Sequence, residues 1–299
     1  MSAEPPVRTW SGRQRGNVLG HWIFQQLLKI VGRDVAGWLL YPVTAYYWLF
    51  SRSGRSASIA FLERVARLWP SHDHLSVYRH LLAFAEVLLD RACLFSGVGG
   101  KFVFTFEGEA FIRAALAEGR GVILVSAHLG NWETAGGLLR ERVSGNFSIA
   151  MVRAEANRLN AYLDKTQGSG LTVIALDDEN GSLQILTALR RGEAVAMHGD
   201  RFLPGARTRR VDFMGGTAAF PEGPFQLAAL AGSPIITCFA LRTGTRRYVF
   251  RAFPPETLAS TREQRASAVE QAVKQYAARV EAMVRENPYQ WFNFYDFWA

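Results

Sequence analysis

The chain has 299 residues, 49% hydrophobic and 20% charged, which is enough apolar material for one large α/β domain, alone or with an appendage, and excludes a disordered tail. Its formal charge of +8 is almost all arginine, since Lys29, Lys101, Lys165 and Lys274 are the only lysines; such a balance suits an anionic membrane, a phosphorylated lipid, an acidic carrier protein or nucleic acid. No zinc-finger spacing, aromatic ribonucleoprotein motif or clean helix-turn-helix pattern supports nucleic acid, no Cys/His cluster suggests a metal, and Cys93 and Cys238 stand far apart in apolar surroundings, as core residues of a reducing compartment do.

Up to about Ser96 the pattern is helical and rich in large aromatics, including Trp22, Trp38, Tyr41, Tyr46, Tyr47, Trp48 and Trp69. The longest uncharged run, Val35 to Phe50, contains Pro42 and falls short of the roughly 20 residues needed to cross a bilayer. No signal-peptide cleavage pattern follows it. Arg13, Arg15, Lys29, Arg33, Arg52 and Arg55 flank the aromatic stretches, which suits a monotopic segment lying in the membrane interface with snorkelling cations. A helical layer packed on the main domain, its cations in water, is the alternative. The predicted division is an aromatic-rich helical segment over 1–96 and an α/β domain over 97–299.

From Lys101 onward strands and helices alternate. Strands are expected near Phe102–Phe106, Gly121–Ser126, Phe147–Val152, Leu171–Leu176, Ala194–Met197, Pro234–Leu241 and Tyr248–Phe253. Helices are expected near Glu109–Glu118, Glu133–Glu141, Asn157–Gln167, Ser182–Arg191 and Glu222–Ala231, with an amphipathic one from about Arg262 to Arg285. Repeated β-then-α units predict a mostly parallel sheet covered on both faces. Between Pro204 and Pro224 the glycine- and proline-rich text reads as an ordered loop at a site mouth, whose Arg207, Arg209 and Arg210 meet phosphate or simply solvent. Seven of the ten residues Tyr289 to Trp298 are aromatic, so that stretch must be buried against the body or against lipid.

The chemistry concentrates in Val-Ser-Ala-His-Leu-Gly-Asn-Trp-Glu-Thr, Val125 to Thr134. The apolar, β-branched run before it reads as a buried parallel strand. That places His128 at a strand's carboxyl end, where open α/β sheets bind ligands, and Glu133 about one turn into the next helix. Within one helix a five-residue offset would turn the two side chains about 140° apart, but across a strand-to-helix turn they can meet. A carboxylate beside an imidazole fixes its tautomer and stabilises the imidazolium, the wiring of a general base. A histidine capping a turn and a glutamate in a favourable first helical turn would give the same spacing.

Other strand ends add candidates. Arg153, followed by Asn157 and then Asn160 through Asp164, could hold a phosphate or carboxylate bidentately or make a surface ion pair. His198, Asp200 and Arg201 would emerge on the rim that carries His128; Asp200 is either a second carboxylate for His128 or the partner of Arg201. His198, with no carboxylate at comparable spacing, is the weaker base. Nothing matches a P-loop, a dinucleotide fingerprint or a Gly-x-Ser-x-Gly nucleophile elbow, so a covalent serine mechanism rests only on Ser126 lying near His128.

His128-Leu-Gly-Asn-Trp-Glu133 resembles the His-x4-Asp/Glu signature of glycerolipid acyltransferases, and its form is most similar to the late lipid A biosynthesis (lauroyl/myristoyl) acyltransferase family. The likeness extends in order through Arg153 with Asn157, the Asp200 strand end, the glycine-rich block at 215–223, Ser233-Pro234 and the aromatic Gln-Trp ending. It implies transfer of a fatty acyl chain from an acyl carrier protein or coenzyme A thioester to a hydroxyl of a lipid or glycolipid at the cytoplasmic face of a bacterial inner membrane, with no cofactor and no metal. His128 and Glu133 would be catalytic, and backbone amides near Gly130 and Asn131 would hold the oxyanion. Arg153 would bind phosphate or donor, Asp200 or Arg201 would shape the acceptor pocket, and the aromatic tail would supply part of the lipid interface and acyl groove. The His-Gly-Asp-Arg block and the unusually aromatic ending leave open a different acceptor, such as another glycolipid or a polyene-type lipid. A thioesterase or other hydrolase using the same pair on water is the alternative activity.

Overall fold

The computed structural model describes residues 18–97, 102–131, 142–153, 171–259 and 261–298. The expected helices at Glu133–Glu141 and Asn157–Gln167, and the residues Arg13, Arg15, Glu133, Asn157 and Asn160–Asp164, lie outside them. The first three helices are α1 (Val18–Phe50), with a break at Gly32, α2 (Arg52–Leu68) and α3 (Val77–Ser96). Then follow β1 (Val103–Glu107), α4 (Glu109–Ala117), β2 (Val122–Ser126), β3 (Phe147–Met151), β4 (Leu171–Ala175), α5 (Gly181–Arg190) and β5 (Ala194–His198). A hairpin, β6 (Thr208–Phe213) and β7 (Gly216–Pro221), precedes α6 (Gly223–Ala231), β8 (Ile235–Gly244), β9 (Arg247–Ala252) and α7 (Arg262–Glu286).

Among the described residues seven strands form one sheet in the order β1-β9-β8-β2-β5-β3-β4. The neighbouring strands run parallel, except at the β8–β9 hairpin. All of β2 is buried because both sheet faces are covered: Ile123 and Val125 join the large core under α5, α6 and α7, while Val122 and Leu124 meet Ile112 and Ala115 of α4 on the other face. This is the continuous apolar run that a doubly covered parallel strand requires.

The stretch read as a loop between Pro204 and Pro224 is instead the β6–β7 hairpin. Val211, Phe213, Ala218 and Phe220 alternate inward, and Met214-Gly215, both at positive φ, make the two-residue turn such a hairpin favours. Its Arg209 pairs with Glu222 and Glu270, so that guanidinium is engaged within the fold.

In α1 the four-residue spacing of Ala36, Leu40 and Thr44 turns one stripe inward, where Ala36 and Leu40 share a core cluster with Leu89 and Cys93 of α3. Trp38 is left 75% exposed and Phe50 68%, with Tyr41, Tyr46, Tyr47 and Trp48 also outward. Two of the expected snorkelling cations do other work. Arg33 is buried and holds Asp90 of α3 through Nε at 2.9 Å and Nη2 at 2.8 Å, and Arg55 donates to the carbonyls of Trp48 and Leu49, capping the end of α1. No described helix is long and apolar enough to cross a membrane. Cys93 and Cys238 are buried free thiols.

The aromatic tail belongs to the protein interior. Trp291 and Phe297 are buried in the main core, ringed by Phe61, Phe213 and Phe220. Of the two places expected for the tail, the protein body is the one that takes Trp291, Phe292 and Phe297, while Tyr289, Phe294, Tyr295 and Trp298 are half-buried. His80 of α3 holds it from the side, with Nε2 2.9 Å from the Trp291 carbonyl and the ring among Phe61, Phe292 and Phe294.

Since Nε2 donates to that carbonyl, the acceptor nitrogen is Nδ1, which is buried and meets no partner among the described residues. Burial, partly offset by the Trp291 carbonyl, pushes the imidazole down to about 4. Its folded pKa lies below the unfolded value near 6.5, so its contribution is complete above that pH and is lost as pH falls from 6.5 towards 4. The loss at pH 4 should be about 3 kcal/mol. Denaturant unfolding at pH 7 and pH 4 should show that decline in the wild type and a smaller one in His80→Gln; equal declines would remove His80 from the account.

Candidate active site

The site forms where two neighbouring parallel strands end together. Ser126 of β2 is the register partner of His198 of β5, so the same number of residues further on brings His128 and Asp200 face to face on one rim. His128 Nδ1 lies 2.8 Å from Asp200 Oδ1, and the His128 backbone N–H donates to Asp200 Oδ2 at 2.9 Å. The sequence reading left Asp200 between two partners; the structure gives it to His128. With no exposed surface it is too deep to line an acceptor pocket. The His128 ring keeps 17% accessibility. A carboxylate facing Nδ1 accepts its proton, which leaves Nε2 as the bare nitrogen of the neutral ring.

Burial favours the neutral imidazole and, with the nearby Arg201 charge, lowers the His128 pKa below its usual value against the opposing pull of Asp200. Burial acts the other way on Asp200, but the charge and hydrogen bond of His128, then His198 and Arg201, outweigh it and hold the carboxyl well below the usual range. His198 stands beside the pair, ring centroid 4.0 Å from that of His128, and is driven further down by burial and then by the His128 charge. Two adjacent imidazolium ions would repel, so the cluster holds neutral rings over an ionised carboxylate. Ser126 Oγ is buried and makes no hydrogen bond to His128.

The motif turn is fastened from two sides. Gly130 has φ of 69°, and a Cβ there would sit 1.9 Å from the Ala240 carbonyl oxygen of β8, so only glycine lets the turn approach that strand. The Gly130 N–H donates to Gln290 at 2.9 Å and the Asn131 N–H to Ala240 at 2.7 Å. Both amides expected to face an oxyanion are thus engaged within the fold, a correction the sequence could not supply. The Asn131 side chain is buried and turns towards the Val87 carbonyl and the Tyr248 hydroxyl.

Arg153 lies past β3 on the same carboxyl edge, with β5 between it and β2. Its backbone N–H bonds Asp177 and its guanidinium pairs with Asp178 at 2.8 Å. Arg201 reaches the tail, donating to Asn293 Oδ1 at 2.7 Å and the Phe292 carbonyl at 2.8 Å. The tail closes the site: the Phe292 N–H donates to the His128 carbonyl at 2.7 Å, Leu129 pairs with Trp291, and Asn293 Nδ2 donates to Asp200 Oδ2 at 2.9 Å. From α7 the Tyr276 hydroxyl donates to the Ser126 carbonyl. Asn293 was missed in the sequence, where its one signal was a carboxamide among aromatics: a polar group destined for burial needs a partner.

The chain is similar to known proteins. Two mycobacterial proteins, both named phosphatidylinositol mannoside acyltransferase, from Mycobacterium tuberculosis strains ATCC 25618 / H37Rv and CDC 1551 / Oshkosh, are each 30% identical over 150 residues. The match takes in 49% of this chain and 46% of each relative, so the chain spans about half the length of the curated relatives it matches. Residues 100–299, the whole stretch from β1 through the tail, match the bacterial lipid A biosynthesis acyltransferases, and the chain belongs to that family.

Proposed function

We propose that the protein transfers a fatty acyl chain from an acyl carrier protein or coenzyme A thioester to a hydroxyl of a lipid or glycolipid, with His128 as general base. The observation that supports this most is the 2.8 Å contact of His128 Nδ1 with a buried carboxylate. It orients the ring, fixes the tautomer and balances the imidazolium that forms when Nε2 takes the acceptor's proton. The oxygen so activated attacks the thioester carbonyl, and collapse of the tetrahedral adduct breaks the C–S bond and expels the thiolate, which takes the proton from His128 Nε2 and restores the neutral base. The family supports an acyl transfer, and the mycobacterial relatives' name supports a glycolipid acceptor. Glu133 remains in the proposal as the motif's own carboxylate; with Nδ1 held by Asp200, it acts on the Nε2 side or through charge.

Residues 1–96 are proposed as the membrane-interface segment, with the exposed aromatic face of α1 entering the cytoplasmic side of a bacterial inner membrane as a peripheral anchor. That so many large rings face outward on one helix supports the assignment. Co-flotation with phosphatidylglycerol-containing vesicles should fall with added salt and fall further in Trp38→Ser/Phe50→Ser, two changes at exposed positions. Flotation that is unaffected by both would reject the anchor. Arg153 is proposed to meet the donor or acceptor phosphate by exchanging its Asp178 partner for it.

Total-lipid mass spectrometry of cells expressing wild type or His128→Ala tests the activity and identifies the acceptor together. A lipid heavier by one acyl chain in the wild type alone establishes the transfer. Release of free fatty acid from palmitoyl-coenzyme A without an acylated lipid would establish the hydrolase instead.

A further inference from the structure

The Asp200 carboxylate receives three hydrogen bonds: His128 Nδ1 on one oxygen, His128 N and Asn293 Nδ2 on the other. The orientation of the Asn293 amide is not free. Its oxygen accepts from Arg201 Nε at 2.7 Å, so its N–H2 must face Asp200. Arg201 in turn is fixed by the carbonyl of Phe292, the residue whose own N–H bonds the His128 carbonyl. Tail and base therefore form one closed circuit, His128–Asp200–Asn293–Arg201–Phe292–His128, nearly all of it shielded from water. A carboxylate with a single partner could rotate about its last torsion; one held by three donors from two segments, the motif turn and the tail, cannot do so without breaking all three.

We infer that Asn293 is a positioning residue for the base: its amide, set by Arg201, locks Asp200 in the orientation that keeps the proton on His128 Nδ1. The assignment rests on the reading of His128 as the base of acyl transfer. Among the described residues, the groups that bear on this proton are His198 of β5 and Asp200 and Arg201 beyond it, with Tyr276 of α7 and the tail's Tyr295 facing Asp200; the motif's Glu133, proposed above to act on the ring, joins them. Asn293→Asp isolates the role, because it keeps the oxygen that Arg201 bonds, keeps the volume, and replaces only the N–H2 facing Asp200 by a second carboxylate oxygen. The added negative charge and the lost donor both favour the imidazolium, so the His128 midpoint moves up. Asn293→Ala, losing the donor alone, moves it less and in the same direction.

The test is histidine-selective 15N NMR titration of the full chain, together with kcat and KM for transfer from palmitoyl-coenzyme A into a total bacterial lipid extract. Expected are a His128 midpoint higher in Asn293→Asp than in wild type, partial loss of the Nδ1-protonated signature, and a kcat lower by about ten- to a hundredfold with KM within about threefold. A purely structural residue would lower thermal stability and leave the His128 midpoint and tautomer unchanged; that result overturns the inference. Shifted titrations in a protein that transfers no acyl chain would uphold the positioning role and reject the transfer. If the variants do not fold, asparagine-selective labelling of the wild type decides: an Asn293 side-chain amide that fails to sense the His128 titration overturns the inference.

Discussion

Asp200→Asn is expected to lower turnover by about three to four decades while leaving the protein folded. Asparagine offers one acceptor where three donors converge. Its carbonyl oxygen satisfies the two bonds made by the His128 N–H and Asn293 if it takes the place of Oδ2, and its N–H2 then faces His128 Nδ1. The imidazole must answer with a bare Nδ1, which moves its proton to Nε2, where the reaction needs a lone pair. Single-turnover transfer, a thermal midpoint and the imidazole 15N shifts check the three parts of the argument. Turnover within tenfold of wild type would mean that Asp200 does not orient the base. Glu133→Gln belongs in the same experiment: if it costs more than Asp200→Asn, the motif's own carboxylate does the orienting.

His128→Ala is expected to lower turnover by about two to four decades. The residual rate comes from holding donor and acceptor together. The fold should survive, since the ring reaches the surface and Asp200 keeps its bonds to the residue-128 backbone N–H and to Asn293. The pH profile carries further information. A base whose pKa is lowered by burial is still unprotonated below pH 6.5, so wild-type kcat/KM should rise with pH along a limb lying below that value and be flat above it. The limb should vanish in His128→Ala. A variant that retains both the rate and the limb would remove His128 from the chemistry.

The sheet was legible in the sequence because the central strands are short, mostly apolar runs: the segment expected at Gly121–Ser126 is β2 at Val122–Ser126, and that expected at Phe147–Val152 is β3 at Phe147–Met151. The hairpin β6–β7 was obscured by its glycines and arginines, although Val211 and Phe213 already alternate with charged neighbours. His128 could be named from its motif, and Asp200 as one of its two candidate partners. What could not be read was which donors the rest of the chain would take up. The amides of Gly130 and Asn131 look free until the tail and β8 arrive, and Arg33 looks like a surface cation until α3 brings Asp90 to it. Such facts are set by contacts between distant segments, to which local pattern is blind.

The joining of residues 290–293 to the motif turn has a consequence for synthesis. Asn293 lies 93 residues beyond Asp200, so at about 5 to 20 residues per second a growing chain carries the motif and its carboxylate for roughly 5 to 20 s before the last member of the circuit is made. Through that interval Asp200 lacks its brace from the tail, so the order in which the ribosome delivers these segments makes completion of the site a late event in synthesis.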